Sequence, residues 1–123
     1  MLADVALEDQ GGVSVAHVRG EVDLSNALEL RNVLQDAVRH VSAGLVIDFS
    51  ETGYLDSAGL HFVFELAKRL RDRGQRLELV VAPGSAVESV LRIVGVEALA
   101  ALSPTVDDAI VRLHEHEADI PEL

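Results

Sequence analysis

The chain has no cysteine and no tryptophan, and only one tyrosine and three phenylalanines among its 123 residues. Without cysteine there are no disulfides and no thiolate metal sites, a usage that fits a cytoplasmic protein. So few aromatics leave no platform for stacking bases or sugar rings. Positive charge is scarce too: ten Lys and Arg face 21 Asp and Glu, for a formal net charge of −11. A surface of that sign repels nucleic acid and anionic membranes. Half of the cations sit in one cluster, Lys68, Arg69, Arg71, Arg73 and Arg76. No apolar run approaches the roughly 20 residues that span a bilayer. The start, Met1-Leu2-Ala3-Asp4, carries no basic, signal-like segment.

What the chain does have is aliphatic residues. Apolar types make up 49% of it, enough for one ordered core in a single domain of this length. Val5 to Glu8 and Val13 to Val18 read as short strands joined across Gly11-Gly12, a hairpin signal. Ala27, Leu30, Leu34, Ala37 and Val41 recur at helical spacing, and Gly44 follows. Leu45 to Phe49 reads as a buried strand, and Glu51-Thr52-Gly53 as a small, accessible loop. A second helix is expected from Ser57 to about Arg73, with Leu60, Val63, Phe64, Ala67 and Leu70 inward. Its last turns hold the basic cluster, which suits the helix dipole, and Gly74 ends it.

Leu77 to Ala82 is another strand, stopped at Pro83-Gly84. Ser85 and Glu88 have capping-box spacing before a third helix, which Gly95 closes. Ala98 to Leu102 reads as a weak edge strand, and Ser103-Pro104-Thr105 opens a fourth helix. The order β-β-α-β-α-β-α-β-α implies an α/β fold: a mixed, mostly parallel sheet of about five strands with about four helices and an antiparallel edge. The domain is expected over residues 3–114, with 115–123 an acidic tail that frays.

Several chemistries can be weighed against these residues. Asp56, Ser57 and His61 contain the side chains of a hydrolytic triad, and Ser57 and His61 stand four apart. Yet Ser57-Ala58-Gly59 is not a nucleophile elbow, and Asp56, adjacent to Ser57, is badly placed to orient His61. Asp48 at a strand end suggests a phosphoaspartate receiver, but that chemistry needs a lysine after the last strand, and the one lysine, Lys68, sits on the second helix. No GxxxxGK[ST] segment binds a nucleotide, and His114-Glu115-His116 lies in the expected tail. The basic cluster reads as a solvated helix end. No cofactor is implied. That leaves Ser57 beside Asp56 at a helix start, either as a simple cap or as a surface hydroxyl open to a kinase. Glu21 and Asp23, at the end of the second strand, are expected on the same rim.

Three segments carry a family resemblance. They are Gly20-Glu21-Val22-Asp23-Leu24-Ser25-Asn26-Ala27, Val46-Ile47-Asp48-Phe49-Ser50 and Tyr54-Leu55-Asp56-Ser57-Ala58-Gly59-Leu60. In order and spacing the chain resembles the STAS domains of bacterial anti-sigma-factor antagonists, from about Val5 to Leu113. The resemblance implies no enzyme but a partner switch with Ser57 as the phosphorylated serine. It also implies a partner-binding surface of Glu21, Asp23, Ser25, Asp56, Ser57, Ala58, Gly59 and His61. The implied partners are an anti-sigma factor that is also a serine-protein kinase and a metal-dependent serine phosphatase, with the chain itself a cytoplasmic monomer. Ala58 departs from the pattern, since many members carry a second Ser or Thr there. A STAS module that never switches, as a subunit of a transport or sensory complex, is the alternative.

Overall fold

The computed structural model describes residues 4–10, 12–39 and 43–119, with side chains through Glu115. The strands are β1 (Asp4–Gln10), β2 (Val13–Val22), β3 (Gly44–Leu55), β4 (Arg76–Val80) and β5 (Ala101–Ser103). The helices are α1 (Ala27–Val38), α2 (Ser57–Asp72), α3 (Ala86–Ile93) and α4 (Val106–Asp119), with a 3-10 turn at Val96–Ala98. One five-stranded sheet runs β1-β2-β3-β4-β5. β1 is antiparallel to β2, and every later pair is parallel. Expected positions Gly11 and Val41, and residues 120–123 of the acidic tail, lie outside the described residues.

Helices cover the sheet on both faces. Ala16, Val18, Leu45, Ile47, Leu77 and Leu79 point to α1, α2 and α3, where Leu34, Phe62, Leu66, Leu70 and Leu91 meet them. Val13, Val15, Val46 and Val80 point the other way, onto Ala109 and Leu113 of α4. Coverage on both sides explains why Leu45–Phe49 and Leu77–Val81 read as nearly continuous apolar runs instead of alternating ones. Each fully buried aliphatic side chain contributes about 1.5–3 kcal/mol.

β1 and β2 run longer than expected, to Gln10 and Val22, and β4 ends at Val80 instead of Ala82; three further departures have local reasons. Residues 51–53 are not a loop, because β3 continues to Leu55. β2 stays paired with it through a bulge, with register shifts at His17/Arg19 and Gly20/Glu21. Gly20 takes the left-handed φ of +92° that the bulge needs. Thr52 is buried there and donates its hydroxyl proton to Val18 O at 2.7 Å. β5 begins at Ala101, because the amides of Leu99 and Ala100 both donate to Val96 O in the 3-10 turn. α4 continues through the expected tail to Asp119. Thr105 Oγ1 accepts from Asp108 N at 3.1 Å, Asp107 and Asp108 suit the first turn, and no breaker intervenes before Pro121.

One buried residue does not fit the apolar pattern. Glu78, in the middle of β4, faces α4 with no exposed surface. Arg76 Nη2 lies 3.4 Å away, and among the described residues neither carboxylate oxygen has a hydrogen bond. Burial pushes the carboxyl above its ordinary range, against the pull of Arg76 and Arg112. A raised carboxyl favours the fold below about pH 4.3, and that contribution is lost as pH rises through the folded-state value. Glu78→Gln is therefore expected to gain stability relative to the wild type as pH rises from about 5 to 8. Thermal melts across that range check this, and a gap that closes or reverses contradicts it.

Candidate functional site

Past the bulge, β2 and β3 finish level, with Glu21 beside Tyr54 and Val22 beside Leu55. From that shared rim one chain leaves through residues 23–26 into α1, and the other turns directly into α2. Glu21, Asp23, Ser25, Asp56, Ser57 and Ala58 are thereby brought together. Asp56 is the N-cap of α2, its Oδ1 accepting from Ala58 N at 2.9 Å and Gly59 N at 3.2 Å. Its Oδ2 accepts from Leu24 N at 3.1 Å, and its own amide donates to Val22 O at 3.0 Å. One carboxylate thus caps the helix and ties down the neighbouring loop.

Asp23 holds that loop from the other side. Its Oδ1 accepts from the amide of Ser25 at 2.9 Å and from the Ser25 hydroxyl. Those two bonds keep its carboxyl below the ordinary range. Asn26, buried, donates to Glu21 O at 2.8 Å and accepts from Asp23 N at 3.1 Å. Asp56→Ala is expected to cost about 1–2 kcal/mol, through the lost cap and the lost loop bond. Urea unfolding checks this, with Asp56→Ser expected to recover the cap share; a loss below a few tenths contradicts the geometry.

Ser57 follows as the first residue of α2 and is exposed. Among the described residues no side-chain hydrogen bond holds its hydroxyl, so it is not the cap. Its surroundings are acidic, with Asp56, Asp23 and exposed Glu21 on the same rim. The trio Asp56, Ser57 and His61 does not form a relay. Both oxygens of Asp56 are taken by backbone amides, and the His61 side chain is 79% exposed, with its Nε2 3.9 Å from Glu65 Oε2. Asp56 does not orient the imidazole, so these three side chains are not arranged as a triad.

Gly59 is a correction to the expected contact surface. It is buried, and a Cβ on it would lie 2.5 Å from Leu55 Cδ1 and 2.9 Å from Val22 Cγ1. Its place is in the packing beneath the rim. The basic cluster runs from the last turns of α2 to the start of β4, beginning about 17 Å from Ser57 at 1.5 Å per residue. There Arg73 Nη1 donates to Val38 O at 3.2 Å, and Arg71 and Arg76 line a cleft of about 470 Å³. That cleft shares no residue with the Ser57 rim.

Sequence reasoning missed two features. Asp48 pairs with His17, Oδ2 to Nδ1 at 2.8 Å, and Glu8 meets the other ring nitrogen at 3.1 Å. The bonds to Glu8 and Asp48 push the imidazole pKa up. This cross-strand row is invisible without the register that sets β1, β2 and β3 side by side. The second is the exposure of Leu24 and Leu28 next to Ser57. Leu28 falls outside the stripe of Ala27, Leu30, Leu34 and Ala37, and that offset was the available signal. Among the described residues no group of three or more His, Asp or Glu side chains could hold a metal ion, and no helix is long and apolar enough to cross a membrane.

Comparison with known proteins agrees with this architecture. The model of the STAS domain matches residues 4–109. The anti-sigma-F factor antagonist RsfB of Mycobacterium tuberculosis is 31% identical over 107 residues, covering 86% of this chain and 85% of the relative. An anti-sigma factor antagonist from Mycobacterium paratuberculosis superposes with a TM-score of 0.83 at 28% identity, covering 91% of this chain and 94% of that one. The Bacillus cell fate determinant SpoIIAA in its phosphorylated form shares the fold, with a TM-score of 0.66 at 20% identity over 89% of this chain and 99% of its own.

Proposed function

Because the chain belongs to the STAS-domain family, we propose that it is an anti-sigma-factor antagonist working by partner switching, with Ser57 as the phosphate acceptor. The observation that carries this reading is the free, exposed Ser57 hydroxyl at the start of α2, beside an aspartate already committed to capping. The similarity to RsfB supports the class of partner. Unphosphorylated, the Ser57 rim docks onto an anti-sigma factor that is also a serine kinase and releases the sigma factor. ATP and Mg²⁺ belong to the kinase, and this chain supplies only the hydroxyl.

Phosphorylation adds about −1.5 to −2 charges at pH 7. The helix start offsets this locally by about 0.3–1 kcal/mol. A partner surface matched to a neutral hydroxyl beside Asp56 and Asp23 instead meets a bulky group of the wrong charge, at a cost of several kcal/mol. Affinity falls while the fold stays as it is, since among the described residues no hydrogen bond holds the Ser57 hydroxyl. A metal-dependent serine phosphatase resets the cytoplasmic, monomeric switch.

The test is competition: the purified chain is added to a preformed complex of the anti-sigma factor and its sigma factor. Release of sigma factor in proportion to added chain is expected. Failure to bind the anti-sigma factor, with transport or sensory subunits recovered from cells instead, overturns the reading in favour of a module that does not switch.

A further inference from the structure

Beside Ser57, α1 and α2 enclose a cleft of about 240 Å³ lined by Leu24, Ala27, Leu28, Ala58 and Phe62. Ala27 and Phe62 are buried in its floor, whereas Leu24 is 81% and Leu28 60% exposed on its rim. Single exposed leucines are ordinary, but two flanking an apolar floor form a patch of the kind that marks interaction sites. The volume is below the roughly 300–1,000 Å³ of small-molecule sites. It suits one side chain of a protein partner better than a free ligand.

The far end of the cleft is polar and incompletely satisfied. Glu65 Oε2 lies 3.9 Å from both Arg31 Nη1 and His61 Nε2, beyond hydrogen-bond reach. Among the described residues, Arg31 Nε and Glu65 Oε2 are buried with no hydrogen-bond partner. One donor and one acceptor are therefore unanswered side by side, and that carries a desolvation penalty. Both side chains line the cleft and are 35% and 40% exposed.

We propose that this cleft is the specificity pocket of the docking face, taking one aliphatic side chain of the anti-sigma factor with a neutral amide beside it. A neutral amide answers both from separate atoms, offering a carbonyl oxygen to Arg31 and an N–H to Glu65, where a hydroxyl would have to do both from one oxygen. A carboxylate would satisfy Arg31 and repel Glu65, and a cation would do the reverse. The amide can be an Asn or Gln side chain or a main-chain peptide group, since the chemistry is the same. The pocket rests on the partner-switching reading, because Ala58 makes it continuous with the Ser57 rim.

Calorimetric titration with the cognate anti-sigma factor tests this using wild type, Leu28→Ser, Leu24→Ser/Leu28→Ser, Arg31→Ala, Ser57→Asp and Val111→Ser. Val111, 55% exposed on α4 across the sheet, is the control. Leu28→Ser and Arg31→Ala are expected to weaken binding at least about tenfold, and the double leucine variant about a hundredfold. Val111→Ser binds like wild type, and thermal melts confirm that every variant folds. If the leucine variants bind normally while Ser57→Asp does not, the pocket is overturned and the switch stands. If Ser57→Asp also binds normally, the docking face itself falls. A wild-type self-association that Leu28→Ser abolishes, seen by gel filtration, likewise overturns the pocket, because a second copy then occupies it.

Discussion

Ser57→Asp is expected to bind the anti-sigma factor at least about a hundredfold more weakly than wild type, a loss of roughly 2.7 kcal/mol. Ser57→Ala should bind within about twofold of wild type and resist control by the kinase. The asymmetry follows from the rim. Asp56 and Asp23 already place carboxylates beside Ser57, so a partner that fits the neutral hydroxyl has had to match two negative groups and meets a third without compensation. Folding and binding separate cleanly here. The cap of α2 is Asp56, not Ser57, so removing the hydroxyl leaves the helix start intact. An aspartate at the first helical position is, if anything, favourable to the dipole, by about 0.3–1 kcal/mol. Melts of both variants close to wild type, alongside opposite affinities, are the expected pair of results. Equal affinity of the two variants contradicts it.

Gly59→Ala is the second large effect, and it acts from beneath the rim. An added Cβ would lie 2.5 Å from Leu55 Cδ1 and 2.9 Å from Val22 Cγ1, and both residues are buried. Overpacking of this kind costs about 1–3 kcal/mol, and the gain in helix propensity offsets up to about 1 kcal/mol of it. A net loss of about 1–2 kcal/mol lowers Tm by roughly 5–10 °C in a domain of this size. The strain falls on Val22 and Leu55, the last paired residues of β2 and β3, so the loop bearing Asp23 and the start of α2 are forced apart. Binding to the anti-sigma factor should weaken along with stability. Gly53→Ala is the matched control, because a Cβ there meets nothing within 4 Å. Equal melting of the two variants would show that the rim yields more readily than its packing implies.

The parts legible in the sequence are those set by local periodicity. The stripe Ala27-Leu30-Leu34-Ala37 identifies the buried face of α1, but on α2 only Val63, Ala67 and Leu70 of the expected stripe are fully buried, since Leu60 and Phe64 are half-buried and Phe62 and Leu66 fill the core. Half of the capping box is there too, Ser85 Oγ accepting from Glu88 N, while Glu88 Oε1 reaches one residue further back and accepts from Gly84 N. Features that depend on pairing between distant segments were not legible. The continuation of β3 through Glu51-Thr52-Gly53 looks like a loop because its composition is polar. It becomes a strand only when Val18 O is there to accept from the Thr52 hydroxyl. The contact of Gly59 with Val22 needs two segments nearly 40 residues apart in sequence to meet. At the site, the motif around Ser57 located the rim, but it did not divide the roles. Asp56 proved to be the structural residue and Ser57 the free one, a distinction that rests on three backbone amides and on nothing in the composition.

The central claim is that one phosphate, on Ser57, decides whether this surface binds. The most direct measurement is to incubate the chain with the cognate anti-sigma factor kinase and ATP, locate the phosphate by mass spectrometry, and titrate the purified phosphoprotein against the same partner. A single phosphate on Ser57, with affinity reduced at least as far as in Ser57→Asp and restored by phosphatase, is the predicted result. Phosphate on another residue, no phosphate at all, or a Ser57 phosphoprotein that binds like the unmodified chain would contradict it.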